Sequence, residues 1–122
     1  MTDGNSSALE SFKAAVAANP NDVEALENLG WGYHTHDQSA EAIETFRKAL
    51  ALDPNHVDSH YGLGLALRHS GRFDEAIREF QKVLELIPTR IDDPARAMIL
   101  SRQARQQIAH AEEDQRTAGV QS

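Results

Sequence analysis

Six histidines are the side chains in this sequence best suited to chemistry, since imidazole titrates near neutral pH and is the commonest metal ligand. Two sets are closely spaced: His34 and His36 flank Thr35 near a helix end, and His56 and His60 stand one helical turn apart. Neither set encloses the glutamate of a metalloprotease motif, and no cysteine exists to complete a zinc site or act as nucleophile. A Gly-rich phosphate loop, a nucleophile motif and a convincing carboxylate pair are also missing. The expectation is no enzyme, no metal and no cofactor. The histidines read as packing and surface residues, with His60 at a core position where a pH-dependent stability is its one chemical consequence.

The elements that carry these residues repeat. Pro20, Pro54 and Pro88 are spaced by 34 residues, and so are Phe12, Phe46 and Phe80 and Ala8, Ala42 and Ala76. Leu29 with Gly30 returns as Leu63 with Gly64, and Ile43 as Ile77. A period of this length built from helical spacings implies stacked helix pairs, an architecture suited to holding other proteins. With 122 residues the chain is one domain, and 40% hydrophobic with 6% aromatic residues suits helices rich in Ala and Leu.

Charge narrows the partners. The net charge of −7 disfavours a phosphate backbone, so nucleic acid is not expected. Residues 1–60 hold 3 basic and 10 acidic side chains, whereas residues 61–122 hold 9 of each, which places the acid at one end. No apolar run reaches membrane-spanning length, and the start lacks the basic and apolar segments of a secretory signal. A cytoplasmic protein with no membrane partner is expected.

In chain order, residues 1–5 are expected to be disordered. Ser6 or Ser7 caps a first helix to about Ala18, with Ala8, Phe12, Ala15 and Val16 on its inner face. Helices follow over about Val23 to His36, Ser39 to Leu52, Val57 to His69 and Asp74 to Leu86, the last ended by Pro88. Their inner stripes are Leu26, Leu29, Gly30 and Tyr33; then Ala42, Ile43, Phe46, Ala49 and Leu50; then His60, Leu63, Gly64 and Leu67; then Ala76, Ile77, Phe80, Val83 and Leu84. Asp93 and Pro94 open a final helix to about Arg116, striped by Ala97, Leu100, Ala104, Ile108 and Ala111. At about 35 Å it outreaches its neighbours, and residues 117–122 are expected to be disordered. Short breaks make sequential helices antiparallel neighbours.

These residues closely resemble the tetratricopeptide repeat family, whose 34-residue unit is an antiparallel helix pair, A then B. Leu26, Leu29, Gly30, Tyr33, Ala42, Phe46, Ala49 and Pro54 match the first unit. Leu63, Gly64, Ala76, Phe80 and Pro88 match the second, with His60, Leu67 and Val83 as substitutions. Residues 6–20 form a half-repeat of helix-B type, 21–54 and 55–88 are full repeats, and 89–116 form a C-terminal capping helix. The resemblance implies an all-α, right-handed solenoid of about six helices. Asp37 stands where the family has a turn glycine, tolerable because Asp visits left-handed backbone, and Ser39 stands where the second unit has Phe73.

The resemblance also implies a concave groove lined by the A helices. Glu24, Glu27, Trp31, His34 and Thr35 face it from one unit, and Asp58, Tyr61, Leu65, Arg68 and His69 from the next. Asp92, Ala95, Ile99, Arg102 and Gln103 continue the row if the last helix keeps register. This makes an apolar centre of Trp31, Tyr61, Leu65 and Ile99 with acids at one rim and Arg68 and Arg102 at the other. Trp31 is the expected binding anchor; the alternative is that the final helix or a neighbour covers it. Relatives that grip a chaperone's C-terminal carboxylate use a lysine and asparagine set, yet Glu27 and Trp31 fall at those positions and no A helix carries a lysine. The expected partner is a protein or peptide with apolar and basic groups, held by a non-catalytic adaptor. The alternative is a self-assembling module, such as a homodimer, using Leu9, Phe12 and Val16 of the unpaired first helix.

Overall fold

The computed structural model describes residues 4–121, with side chains from residue 8 to residue 119. Six helices follow in order: α1 Gly4–Ala18, α2 Val23–Thr35, α3 Ser39–Leu52, α4 Val57–His69, α5 Phe73–Arg90 and α6 Pro94–Gln121, with no strand among the described residues. Of the N-terminus expected to be disordered, residues 1–3 lie outside the described residues. Gly4 and Asn5 already belong to α1, so Ser6 and Ser7 are helical instead of capping.

Local chemistry sets the boundaries. Asp22 accepts from the amides of Glu24 and Ala25 at 3.0 and 3.3 Å, closing the start of α2. Asp93 does the same for α6, accepting from Ala95 N at 3.0 Å ahead of Pro94. Helices α2 and α4 end alike. Asp37 at φ 59° and Gly71 at φ 79° occupy equivalent left-handed positions, and Gln38 N and Arg72 N each reach back 2.9 Å to the Tyr33 and Leu67 carbonyls.

Two expected boundaries move outward. Helix α5 does not stop at Leu86 but runs through Pro88 to Arg90. The proline leaves one carbonyl without its amide, yet the turn holds because Leu86 and Ile87 are buried and the Ile91 amide bonds the Ile87 carbonyl at 3.0 Å. Helix α6 passes Arg116 and remains helical to Gln121, so the expected disordered tail is helix as far as it is described. Its 28 residues span about 42 Å at about 1.5 Å each.

Glycine and phenylalanine make the core. Phe46 and Phe80 are fully buried in equivalent places. A Cβ on Gly30 would lie 2.7 Å from the Phe46 ring, one on Gly62 2.3 Å from it, and one on Gly64 2.6 Å from Phe80. The absence of those carbons lets helices close onto the rings. Ala42, Ala49, Ala66 and Ala76 are wholly buried around them. Tyr33, Leu50, Ile77 and Leu84, expected inside, are half-buried.

Helix α1 packs differently from its expected register. Ala8 and Ala15 are exposed, and Leu9, expected to be available for self-association, is buried. The reason is Gly32, where an added Cβ would sit 3.1 Å from Leu9 and 3.0 Å from Phe12. That gap draws both side chains onto α2 and leaves Phe12 and Val16 half-buried.

The stack is bent by its contacts. Helix α2 packs on α4 and α4 on α6, whereas the backbones of α1 and α3 and of α3 and α5 stay apart among the described residues, α3 and α5 meeting through the exposed Arg47–Glu75 pair at 3.2 Å. The row α2, α4, α6 is therefore the inner one. The chain is an all-α solenoid of antiparallel helix pairs.

Candidate partner-binding face

Two aromatic side chains stand on the inner row, each resting on a core phenylalanine. Trp31 of α2 meets Phe46 edge-on at 5.4 Å and His34 at 6.1 Å, both at 79°. Its indole Nε1 donates to Glu27 Oε2 at 3.1 Å, one turn earlier. Tyr61 of α4 meets Phe80 at 5.6 Å and 64°. Such edge-to-face contacts fix ring orientation beyond what burial alone does. Both rings are half-buried, each resting on its phenylalanine, and Tyr61 is also bonded by Gln107 of α6. Neither α6 nor another helix shuts Trp31 away.

Acids gather beside Trp31. Burial pushes the Glu27 carboxyl above its ordinary value; the Trp31 hydrogen bond and His56 oppose this, and the charges of Asp58 and Glu24 add to it. His56 Nε2 lies 3.8 Å from Glu27, and its Nδ1 lies 2.7 Å from Ser59 Oγ. Asp58 reaches Arg96 of α6 at 3.4 Å, an exposed pair of small energetic worth.

The opposite end of the row is a cleft of about 410 Å³ lined by His34, Leu65, Arg68, His69, Phe73 and Asp114. Burial lowers the His34 pKa, the neighbouring His69 lowers it further, and Asp37 acts the other way. The two imidazoles sit 6.0 Å apart, edge to face.

The cationic rim expected from Arg68 and Arg102 does not form. Arg68 Nε donates to Asp114 Oδ2 at 2.8 Å and Nη1 to Gln107 Oε1 at 3.1 Å, so its charge is answered from α6. Arg102 is exposed and lies five residues, roughly 140° of helix, from Gln107. Ile99 is 53% exposed, against half-burial for Trp31, Tyr61 and Leu65, so the apolar centre is deepest on α2 and α4.

Helix α6 fits against α4 in a way its sequence did not reveal. Arg96 meets Asp58 near both helix starts, Gln107 bonds Tyr61 and Arg68, and Asp114 meets Arg68 at the far end, so the two helices run parallel. Those contacts are polar, and polar contacts leave no periodic hydrophobic trace.

The histidines divide by environment. His36 Nδ1 bonds the Gly32 carbonyl at 2.9 Å, and His60 bridges Glu79 and the Pro54 carbonyl at 2.7 Å each. No three His, Asp or Glu side chains among the described residues are placed to hold a metal ion. The His60–Glu79 link was legible in one respect. These two polar residues stand at the positions of Leu26 and Thr45 in the preceding unit, a paired exchange one repeat apart.

Known proteins share this design. The second such domain of human RPAP3, solved with an HSP70 peptide, aligns with a TM-score of 0.70 at 21% identity over 85% of this chain and 78% of that one. The Yersinia enterocolitica secretion chaperone SycD, solved with a peptide of the translocator YopD, aligns at 0.78 and 17% over 91% and 82%. MamA aligns at 0.65 and 26% over 94% and 66%. No curated protein matches the sequence. A family model described as tetratricopeptide repeat matches residues 3–55 and again 35–91. Those matched segments contain the two units whose phenylalanines seat on glycine, and the chain belongs to the tetratricopeptide repeat family.

Proposed function

We propose that this chain is a non-catalytic protein-interaction module that holds a peptide or helix of a partner against the inner row of α2, α4 and α6. The observation carrying this reading is that Trp31 and Tyr61 stand half-buried on consecutive inner helices, each pre-oriented by a buried phenylalanine. Rigid aromatics of this kind supply large contact area at little entropic cost. Leu65 extends the apolar strip, and Glu24 and Glu27 beside Trp31, with Asp58 already shared with Arg96, favour a partner with basic groups. RPAP3 and SycD, both solved with peptides, support a peptide as the class of guest.

The test is calorimetry with synthetic amphipathic peptides whose Leu and Phe anchors are flanked either by Lys and Arg or by Glu. The basic series binds tighter by about tenfold or more, and Trp31→Ala weakens it by a similar factor, as for an interface anchor of about 2 kcal/mol. Equal affinity for the two series, or a folded Trp31→Ala protein that binds unchanged, overturns the reading.

A further inference from the structure

One imidazole on the inner row sits in a place that suits only its neutral form. His34 lies between the Trp31 indole at 6.1 Å and the His69 imidazole at 6.0 Å, edge to face with both, and it walls the cleft of about 410 Å³. Its Nδ1 is buried and meets no hydrogen-bond partner among the described residues. A neutral imidazole tolerates this by carrying its proton on Nε2 and leaving Nδ1 bare. The cation has a proton on both nitrogens, and a buried N–H with no acceptor is a costly group. The charges around the ring do not relieve it. His69 opposes a second positive charge, and Asp37, which favours one, stands 3.4 Å from His69 Nε2. Arg68 and Asp114, also on the cleft, answer each other at 2.8 Å. At the other edge of Trp31, Glu27 accepts from the indole Nε1 at 3.1 Å.

We propose that His34 is a proton-operated latch on the partner-binding face: the neutral ring pins the indole of Trp31, and taking up a proton drives the ring from its seat and frees the indole. Glu27 does not imitate this, because a protonated carboxyl keeps an oxygen able to accept from the indole. The consequence for a guest rests on the reading of the face proposed above. A partner that needs Trp31 in its fixed orientation binds the neutral form, so acid weakens the complex by up to about tenfold per pH unit for one proton. The loss sets in below 6.5, since burial and His69 lower the pKa of His34.

Trp31 is the only tryptophan, so its fluorescence reads the latch in the full chain without a partner. Between about pH 7.5 and about pH 5, the range of histidine titration, its emission moves to longer wavelength and acrylamide quenches it more, in a one-proton transition with unchanged helix by circular dichroism. His34→Phe and His34→Gln, which take up no proton, abolish the transition, whereas Glu27→Gln and His36→Gln keep it. A flat wild-type titration overturns the latch. So does a transition that survives both His34 substitutions, vanishes in Glu27→Gln or His36→Gln, or appears only with loss of helix. Calorimetry with the basic peptides then shows affinity falling along the transition in the wild type and staying level in His34→Phe; an equal fall in both overturns the coupling. A wild type that shows the transition yet binds neither peptide series refutes the reading of the face and leaves the latch standing.

Discussion

His60 of α4 and Glu79 of α5 are joined at 2.7 Å between Nδ1 and Oε1, while the other imidazole nitrogen lies 2.7 Å from the Pro54 carbonyl oxygen. Both partners are acceptors, and a neutral ring has only one proton to offer. The arrangement is complete only when His60 is cationic. It therefore ties the packing of α4 and α5 to a proton.

Stability should follow that proton. Burial lowers the His60 pKa, but the Glu79 hydrogen bond, the Pro54 carbonyl and the Glu79 charge outweigh it together with the opposing Lys82, so the folded value lies above 6.5. A raised folded pKa means that the contribution is fully present below 6.5 and is lost as pH rises through the folded value. Charge-assisted bonds of this type contribute about 1.5–3 kcal/mol. Urea unfolding of the wild type against His60→Leu, the residue type of Leu26 one repeat earlier, isolates the effect from His34, whose lowered pKa works in the opposite sense. The difference shifts against the wild type as pH rises, and a pH-independent difference refutes the assignment.

Gly62→Ala should destabilise the protein although alanine is the better helix former by about 1 kcal/mol. The new methyl would lie 2.3 Å from Cζ of Phe46, a fully buried ring closed in on its other side by Gly30. Overpacking of this kind costs about 1–3 kcal/mol. Chemical denaturation followed by circular dichroism reads the change, and an unchanged or higher midpoint would mean that the Phe46 ring has room to move.

Helix α6 should stabilise the stack as far as about Arg116 and not beyond. Val83, Leu86 and Ile87 of α5 are buried in a cluster with Ala104 of α6, with Ala97 and Leu100 packed beside them. Removing residues 94–122 uncovers them at about 1.5–3 kcal/mol per side chain, comparable with the whole stability of a small domain. Removing residues 117–122 uncovers no buried core residue among those described, since 117–119 are exposed, and changes stability by less than about 0.5 kcal/mol. Thermal unfolding of the two truncations separates them, and equal midpoints would count against this division of the helix.

The sequence by itself determined the repeat, the turns and the seating of the rings. Identical sterics recur every 34 residues, so Gly30 and Gly64 with Phe46 and Phe80 specify the same joint twice, and Asp37 takes the left-handed turn that Gly71 takes. Only the tertiary structure decided what happens where the period breaks. Burial of Leu86 and Ile87 carries α5 past Pro88, Gly32 turns α1 so that Leu9 goes inside, and Asp114 with Gln107 takes up the charge of Arg68. Local preferences act on a few neighbouring residues and can be read from spacing, whereas these outcomes depend on residues up to 46 positions apart that only folding brings together.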